Sequence, residues 1–130
     1  PDRQAESESW QPYHEQTVLN HVHNGRGVFI DFTAKWCMTC LANEKLVLDT
    51  KRFSDFAKDN NIVLFKADWT TENPDITRAL NRYNRSSVPL YVYYPPQKTK
   101  GQNNDFIILP QILTFNIIRK YLNAQNQDND

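Results

Sequence analysis

The sequence predicts a three-layer α/β protein in which helices cover both faces of a mixed β-sheet. Three apolar runs, at residues 28–33, 62–67 and 90–94, have the length and composition of buried strands. Segments whose apolar residues recur at helical spacing lie between these runs. The chain has 130 residues, of which 39% are hydrophobic, so it can bury one core and form one domain.

We expect that domain to span residues 10–123, between a flexible segment 1–9 and a flexible tail 124–130, because both ends are polar. The chain carries 15 basic and 15 acidic residues, so its formal net charge is zero and no nucleic-acid or anionic-membrane partner is indicated. It contains neither a membrane-spanning apolar run nor a signal-peptide pattern. Because it begins at Pro1 without a methionine, we expect a processed protein or an excised domain.

The first half of the chain is predicted to place an edge strand and a helix before the first central strand. Residues 10–13 suit a short edge strand or an extended arm. A helix over residues 13–24 ends at an Asn-Gly pair, which is a common C-terminal cap. The strand 28–33 then leads into a helix that runs from Cys37 to about Leu48.

The second half of the chain is predicted to alternate strands and helices and to end on a hairpin and a helix. In chain order its elements are a short helix capped by Asp49 or Thr50, the strand 62–67, a helix from Asn73-Pro74, the strand 90–94, a hairpin loop 97–104, a strand 105–109 and a helix capped by Thr114. Strands joined by helices are expected to be parallel, and the two strands joined by the hairpin are expected to be antiparallel.

The first central strand leads directly into Cys37 and Cys40, which have the spacing C-x-x-C at the start of a predicted helix. The unpaired N–H groups and the dipole of the helix N-terminus stabilise a thiolate at Cys37. Two thiols one helical turn apart can also close a short disulfide. The pattern therefore predicts thiol–disulfide exchange, in which Cys37 attacks a partner disulfide and Cys40 resolves the mixed disulfide.

The alternative for the cysteine pair is half of a zinc site, which would need two further ligands. The other soft candidates are His14, His21 and His23, which lie upstream on a different predicted helix. His21 and His23 are two positions apart, so their side chains diverge, and we expect both in solvent. We therefore expect no metal and no cofactor other than a redox-active Cys37–Cys40 disulfide.

Two carboxylates near the cysteines are candidates for proton transfer. Asp31 lies within an apolar strand that has Phe29 on its side and Ile30 on the other, which argues against an outward position on an edge strand. A buried carboxylate is costly to ionise, so we expect Asp31 to be protonated over part of the useful pH range. Glu44 follows Cys40 by four residues and shares its helical face, although an ordinary solvated glutamate is the alternative.

These motifs resemble those of the thioredoxin superfamily. The resemblance depends on the W-C-x-x-C motif at 36–40, on Asp31 six residues before the first cysteine, and on the Val88-Pro89 step before a strand. It implies the thioredoxin fold, with a central mixed sheet between helices. It also implies that Val88-Pro89 lies opposite Cys37 with a cis peptide bond, where the backbone of Val88 can pair with an extended partner segment.

Within that superfamily the chain is most similar to the C-terminal domain of the DsbD family of thiol:disulfide interchange proteins. The shared features are the Met38-Thr39 dipeptide between the cysteines, the acidic Glu44, and the runs 67–74 and 88–95. The resemblance implies a protein-disulfide reductase in which Asp31 donates a proton to Cys40 or accepts one from it. The residues implied to contact a partner are Trp36, Met38, Thr39, Val88 and Pro89.

The same resemblance implies partners and a location. The domain would take electrons from the transmembrane domain of the same polypeptide and pass them to its N-terminal domain and to other periplasmic thiol–disulfide proteins, including those of cytochrome c biogenesis. It would lie in the periplasm as a monomeric domain of a bacterial inner-membrane protein. Two alternatives stay open: a free thioredoxin-like reductase and a non-catalytic peptide-binding module whose cysteines are structural.

Overall fold

A computed structural model describes residues 9–97 and 105–127 of the chain. Nearly all of the predicted flexible N-terminal segment, most of the predicted hairpin loop and the last three residues lie outside the described residues. The backbone of the last helix continues to Gln127, past the domain boundary predicted at residue 123. Within the described residues, no helix combines the length and the apolar character that crossing a membrane requires.

The described residues form a five-stranded mixed sheet with the spatial order β1-β3-β2-β4-β5. The strands are β1 (Trp10–Pro12), β2 (Gly27–Thr33), β3 (Ile62–Asp68), β4 (Leu90–Tyr94) and β5 (Ile107–Ile108). The predicted edge strand near the N-terminus is confirmed, since β1 pairs with β3 alone. The predicted last strand is shorter than expected, two residues instead of five.

The direction of β4 corrects one expectation. β1 and β2 run parallel to β3, as predicted, and β5 runs antiparallel to β4. However, β4 is antiparallel to β2, although a helix joins it to β3. The reason lies in where the chain re-enters the sheet: β3 ends at Asp68 beside Thr33, and β4 begins at Leu90 beside Phe32. The chain re-enters the sheet at the same end at which β3 left it. The strand β4 must therefore run antiparallel to β2 and β3.

Helices cover both faces of the sheet, which confirms the predicted three layers. They are α1 (Glu15–His23), α2 (Met38–Asn43), α3 (Lys51–Asp59), α4 (Pro74–Arg82) and α5 (Phe115–Gln127). Apolar residues of α1 and α4 pack on one face in a single cluster with β2, β3 and β4. Residues of α3 and α5 form a second cluster on the other face. Every residue of β2 is consequently buried, which explains its unbroken apolar run.

The helix that follows the cysteines differs from the expected regular helix. It is α-helical only as far as Asn43 and continues as a π-helical turn over Glu44–Leu48. Thr50 then caps α3 by accepting a hydrogen bond from the Phe53 backbone N–H over 3.2 Å. A π-helical turn is uncommon and is found preferentially near functional sites, and here it begins one turn after Cys40.

Candidate active site

The two cysteines form a disulfide at the start of α2. Cys37 is the N-cap residue, and the backbone N–H of Cys40 donates a hydrogen bond to its Sγ over 3.1 Å. Cys37 is 8% exposed, whereas Cys40 is fully buried. A partner can therefore reach Cys37 first, and the helix N–H that contacts its sulfur would stabilise the thiolate after reduction. This geometry supports Cys37 as the attacking thiol and Cys40 as the resolving thiol.

Asp31 lies in β2 and is fully buried. Its neighbours across the sheet are Lys66 in β3 and Tyr91 in β4. Burial raises the pKa of Asp31 well above its ordinary value, and the nearby Glu44 carboxyl raises it further, while the Lys66 ammonium partly offsets the rise. The alternative of an outward position on an edge strand is wrong, because β2 has a strand on each side.

Glu44 opens the π-helical turn and is buried beside Asp31. The two carboxyls lie within hydrogen-bonding reach of each other. Both oxygens of Asp31 and one oxygen of Glu44 meet no hydrogen-bond donor within the described part of the chain, and a proton shared between the carboxyls would satisfy one oxygen of each. Because Glu44 follows Cys40 by one helical turn, this acid pair continues the buried side of the helix on which Cys40 lies. The alternative of a solvated glutamate is wrong.

Lys66 and Asp49 connect the acid pair to the surface, and the sequence analysis did not single out either residue for the site. The Lys66 Nζ lies 3.0 and 3.3 Å from the two carboxylate oxygens of Asp49, whose side chain is partly exposed. Burial alone would lower the pKa of Lys66, but the charges of Asp49 and Asp31 outweigh it and raise the pKa. A charged residue within the apolar run 62–67 was the signal that could have identified Lys66.

Asn43 is a third residue that the sequence analysis missed. Its buried side-chain amide donates one hydrogen bond to the Tyr91 hydroxyl and another to the Gln111 carbonyl, each over 2.8 Å, and accepts one from the Leu113 N–H over 3.1 Å. It thereby fastens the loop after β5 to the active-site helix, by which we mean α2 together with its π-helical turn, residues 38–48. Burial and the charge of Asp31 raise the pKa of Tyr91, so its hydroxyl stays protonated beside the acid pair.

Two tryptophans support the loop that carries Cys37. Trp36 is half exposed, and its indole N–H donates a hydrogen bond to the Thr70 carbonyl over 2.9 Å. The Lys35 backbone N–H donates another to the Thr70 hydroxyl. Trp69 is buried, packs at 5.9 Å between ring centroids against Trp36, and donates its own N–H to the Thr77 hydroxyl. The loop after β3 therefore holds the position of Trp36.

The Val88–Pro89 peptide bond is cis, as predicted. Val88 is partly buried and packs against Cys37 and Cys40, so the step before β4 does lie beside the disulfide. Pro89 itself is buried. Among the other residues proposed to contact a partner, Met38 is 79% exposed and Thr39 is partly exposed. These side chains form the surface around Cys37, the cysteine that a partner reaches first.

The three histidines lie apart from the cysteines. His14 is the N-cap of α1 and His23 is exposed. His21 is not fully solvated as expected: its ring packs at 5.8 Å from Phe65, and its Nδ1 lies 2.9 Å from an Arg26 nitrogen. Burial and the Arg26 charge lower the pKa of His21. Across residues 9–97 and 105–127, no group of three or more His, Cys, Asp or Glu side chains is placed to hold a metal ion.

Comparison with known proteins places this geometry in context. A family model described as thioredoxin-like matches residues 9–96. Chloroplastic thioredoxin z superposes with a TM-score of 0.66 at 18% identity, covering 92% of this chain and 96% of that one. The DsbD C-terminal domain of Neisseria meningitidis in its reduced form superposes with a TM-score of 0.63 at 13% identity, covering 92% of this chain and all of that one. The predicted thioredoxin fold is confirmed.

A curated relative is the thiol:disulfide interchange protein DsbD of Ralstonia nicotianae. It is 32% identical over 83 residues, which are 64% of this chain and 13% of that protein. The chain thus corresponds to a small part of this much longer relative. Together with the disulfide at Cys37 and Cys40, these similarities identify a thioredoxin-like disulfide oxidoreductase domain similar to the DsbD C-terminal domain.

Proposed function

Because the chain belongs to the thioredoxin-like family, we propose that it relays electron pairs between a membrane-embedded dithiol and a periplasmic partner domain. In this proposal the functional domain spans residues 10–123, and its redox centre is the Cys37–Cys40 pair without any further cofactor. The single observation that carries the proposal is the buried pair of Asp31 and Glu44, which lies on the same side of the active-site helix as the resolving cysteine.

The reductive half-reaction transfers two electrons to the partner in two displacements. The Cys37 thiolate attacks one sulfur of the partner disulfide, a mixed disulfide forms, and the other partner sulfur leaves as a thiolate that takes up a proton. Cys40 then loses its proton and attacks the Cys37 sulfur, which releases the second partner thiolate. The products are the Cys37–Cys40 disulfide and a partner dithiol. A membrane dithiol reverses these steps and reduces the pair again.

The acid pair supplies the proton chemistry of the buried step. Cys40 is fully buried, so water cannot easily accept its proton. Asp31 and Glu44 can accept that proton once they are ionised and return it when Cys40 is reduced again. Negative charge at this pair would also oppose the helix dipole and make the Cys37 thiol less acidic until a docked partner changes the local field. Lys66 and Asp49 lead from the pair to the surface.

Partner binding is assigned to the surface around Cys37. Trp36 and Met38 offer exposed apolar area, Thr39 lies between the cysteines, and Val88 offers its backbone before the cis Pro89. An extended partner segment that pairs with Val88 would bring its disulfide to Cys37 by strand addition. The expected partners are the transmembrane and N-terminal domains of the same polypeptide and other periplasmic thiol–disulfide proteins, with the isolated domain monomeric.

The periplasmic location, the inner-membrane context and a contribution to cytochrome c biogenesis belong to the same proposal. They are supported by the similarity to DsbD proteins and by the superposition on the C-terminal domain of one of them. A free thioredoxin-like reductase is the second candidate, because the chain also superposes on thioredoxin z over most of its length. A non-catalytic peptide-binding module is the third, since thioredoxin folds can bind extended segments beside a cis-proline without redox turnover.

A redox titration in glutathione buffers and an alkylation series over pH test the proposal. We expect reversible two-electron behaviour and an apparent Cys37 pKa above about 7. The variants Asp31→Asn and Glu44→Gln should each lower that apparent pKa and slow exchange, while Asp55→Asn on the surface of α3 should change neither. A pair that does not equilibrate with glutathione would favour the binding module. Equal efficiency with insulin and with a DsbD N-terminal domain would favour the free reductase.

A further inference from the structure

The outward face of the active-site helix is apolar where contact with water would favour polar side chains. Met38 and Leu46 are 79% and 74% exposed, and Leu41 and Ala42 between them are also exposed. We call Met38, Leu41, Ala42 and Leu46 the apolar strip. Single exposed apolar residues are common on proteins, but a continuous row of them that begins at a reactive centre indicates a contact surface.

The strip follows from the spacing of these residues along the helix. Positions 38, 41–42 and 46 recur at intervals of three to four residues and therefore share one face. The π-helical turn buries Val47 and Leu48 but leaves Leu46 outside. Leu46 lies eight positions after Met38, which places the far end of the strip on the order of 10 Å from its start between the cysteines.

The strip is continuous with the site that any substrate disulfide must reach. Met38 directly follows Cys37, so a partner that presents its disulfide to Cys37 also covers the first turn of α2. The contact area therefore extends beyond the immediate surroundings of the disulfide and along the helix.

The charges and the size of the strip indicate what kind of partner covers it. Lys35 and Lys45 are the exposed charged residues from position 35 to 46, whereas the acidic residue of that segment, Glu44, is buried. Lys45 therefore gives the strip a basic flank, while Asp68 lies near Lys35 at its other end. Four side chains cover far less than the roughly 800 Å² per partner of a standard interface, so the strip suits a short-lived redox encounter and not a stable dimer.

We propose that the apolar strip docks a folded partner domain whose disulfide lies beside an apolar patch with an acidic flank. This inference rests on the proposed relay function and adds the surface that selects the partner. The strip would lower the dissociation rate of the encounter complex, and Lys45 would raise its association rate at low salt. A small disulfide such as glutathione disulfide reaches Cys37 without covering the strip.

The test compares two oxidants with the reduced protein. One is glutathione disulfide, and the other is the oxidised N-terminal domain of the Ralstonia nicotianae DsbD. The double variant Leu41→Gln/Leu46→Gln should lower the second-order rate constant with the folded domain about tenfold and leave that with glutathione disulfide within about twofold. Leu46→Met should restore most of the rate lost in Leu46→Gln. Lys58→Gln, on the exposed side of α3, serves as the remote surface control.

Several outcomes overturn the proposal. If the double variant keeps the wild-type rate constant with the folded domain, the strip does not take part in docking, and the proposed relay function is unaffected. An equal loss with both oxidants shows that the substitutions act on the disulfide itself. Strip-dependent dimers in sedimentation, or strip-dependent binding to phosphatidylglycerol vesicles, would assign the face to a second copy or to a membrane. A wild-type protein that reacts with glutathione disulfide but not with the folded domain overturns both the strip and the relay.

Discussion

The two faces of the active-site helix depart in part from the usual distribution of polarity: polar side chains are buried beside Cys40 and apolar ones are exposed, although the last apolar residues of its π-helical turn are buried as usual. Its inward face carries Asn43 and Glu44 beside the buried Cys40, whereas its outward face carries Met38 and Leu46. In an ordinary surface helix the apolar side faces the core and the polar side faces water. This distribution is the one that the proposed relay requires, with carboxyls buried beside the resolving cysteine and apolar side chains exposed beside the attacking one.

The largest effect is expected on disulfide exchange, from substitution of the cysteines where the two faces meet. Cys37→Ser should abolish disulfide exchange, because the thiol that remains, Cys40, is fully buried and a partner disulfide cannot reach it. Cys40→Ser should instead trap a mixed disulfide between Cys37 and the partner, which non-reducing electrophoresis detects. If Cys40→Ser turned over normally while Cys37→Ser accumulated the adduct, the assigned order of attack would be reversed.

Two leucines, one on each face of the helix, test the contrast between the faces through the free energy of unfolding. Leu48 is buried at the end of the π-helical turn, and Leu46 is exposed two residues before it. Leu48→Ala should lower the free energy of unfolding by about 3 kcal/mol, because it removes buried methyl groups and leaves a cavity. Leu46→Ala should change it by less than about 0.5 kcal/mol. Similar losses in urea denaturation of the two variants would contradict the difference in burial.

The next largest loss of stability is expected when the hydrogen bonds of the inward face are removed. Asn43→Ala removes three hydrogen bonds and leaves the Leu113 N–H without its acceptor, so we expect a loss of about 2 kcal/mol. The same substitution at the exposed Asn81 of α4 is the control and should be nearly neutral. Thermal unfolding followed by circular dichroism measures both. An equal effect at the two sites would show that Asn43 does not fasten the loop.

The smallest expected effect concerns Asp31 and lies in the pH dependence of stability. Folding raises the pKa of Asp31, so above about pH 4 the folded protein keeps a proton that the unfolded chain has lost. Stability must therefore fall as the pH rises from there towards the raised pKa. Asp31→Asn removes this titration, so the stability of the variant relative to the wild type should increase as the pH rises from 5 to 8.

The control for that prediction is Asp55→Asn, whose carboxylate is exposed on α3. It should leave the pH dependence of unfolding unchanged. Chemical denaturation at several pH values between 5 and 8 provides the measurement. If the free energy of unfolding of Asp31→Asn kept the wild-type dependence on pH, the proton that the folded protein retains would reside on another group of the buried cluster.

Much of the fold was predictable because apolar runs and helical spacing are local signals. The run around Asp31 identified the central strand, and Cys37, Cys40 and the cis Pro89 followed from motif and resemblance. The direction of β4 was not predictable, since it depends on which end of the sheet the chain re-enters after α4. Asn43 and Lys66 were missed for a related reason, because their bonds reach residues distant in the sequence.

The π-helical turn shows a further limit of sequence analysis. Spacing of four residues from Cys40 placed Glu44 on the correct face, although the regular helix assumed for that argument ends at Asn43. Glu44 is the first residue of the turn, so the irregularity begins only where the argument had already ended. The exposure of Leu46 and the burial of Leu48 could not be predicted as securely from regular helical spacing, because both residues lie within the π-helical turn.

Both borders of the sheet are very short. β1 has three residues, one of which is Pro12 without an amide hydrogen, and β5 has two. Such borders offer almost no template on which a foreign chain could polymerise. The partner segment of the proposed mechanism would therefore pair with the backbone at Val88, beside Cys37, and would find little strand edge elsewhere on the described sheet.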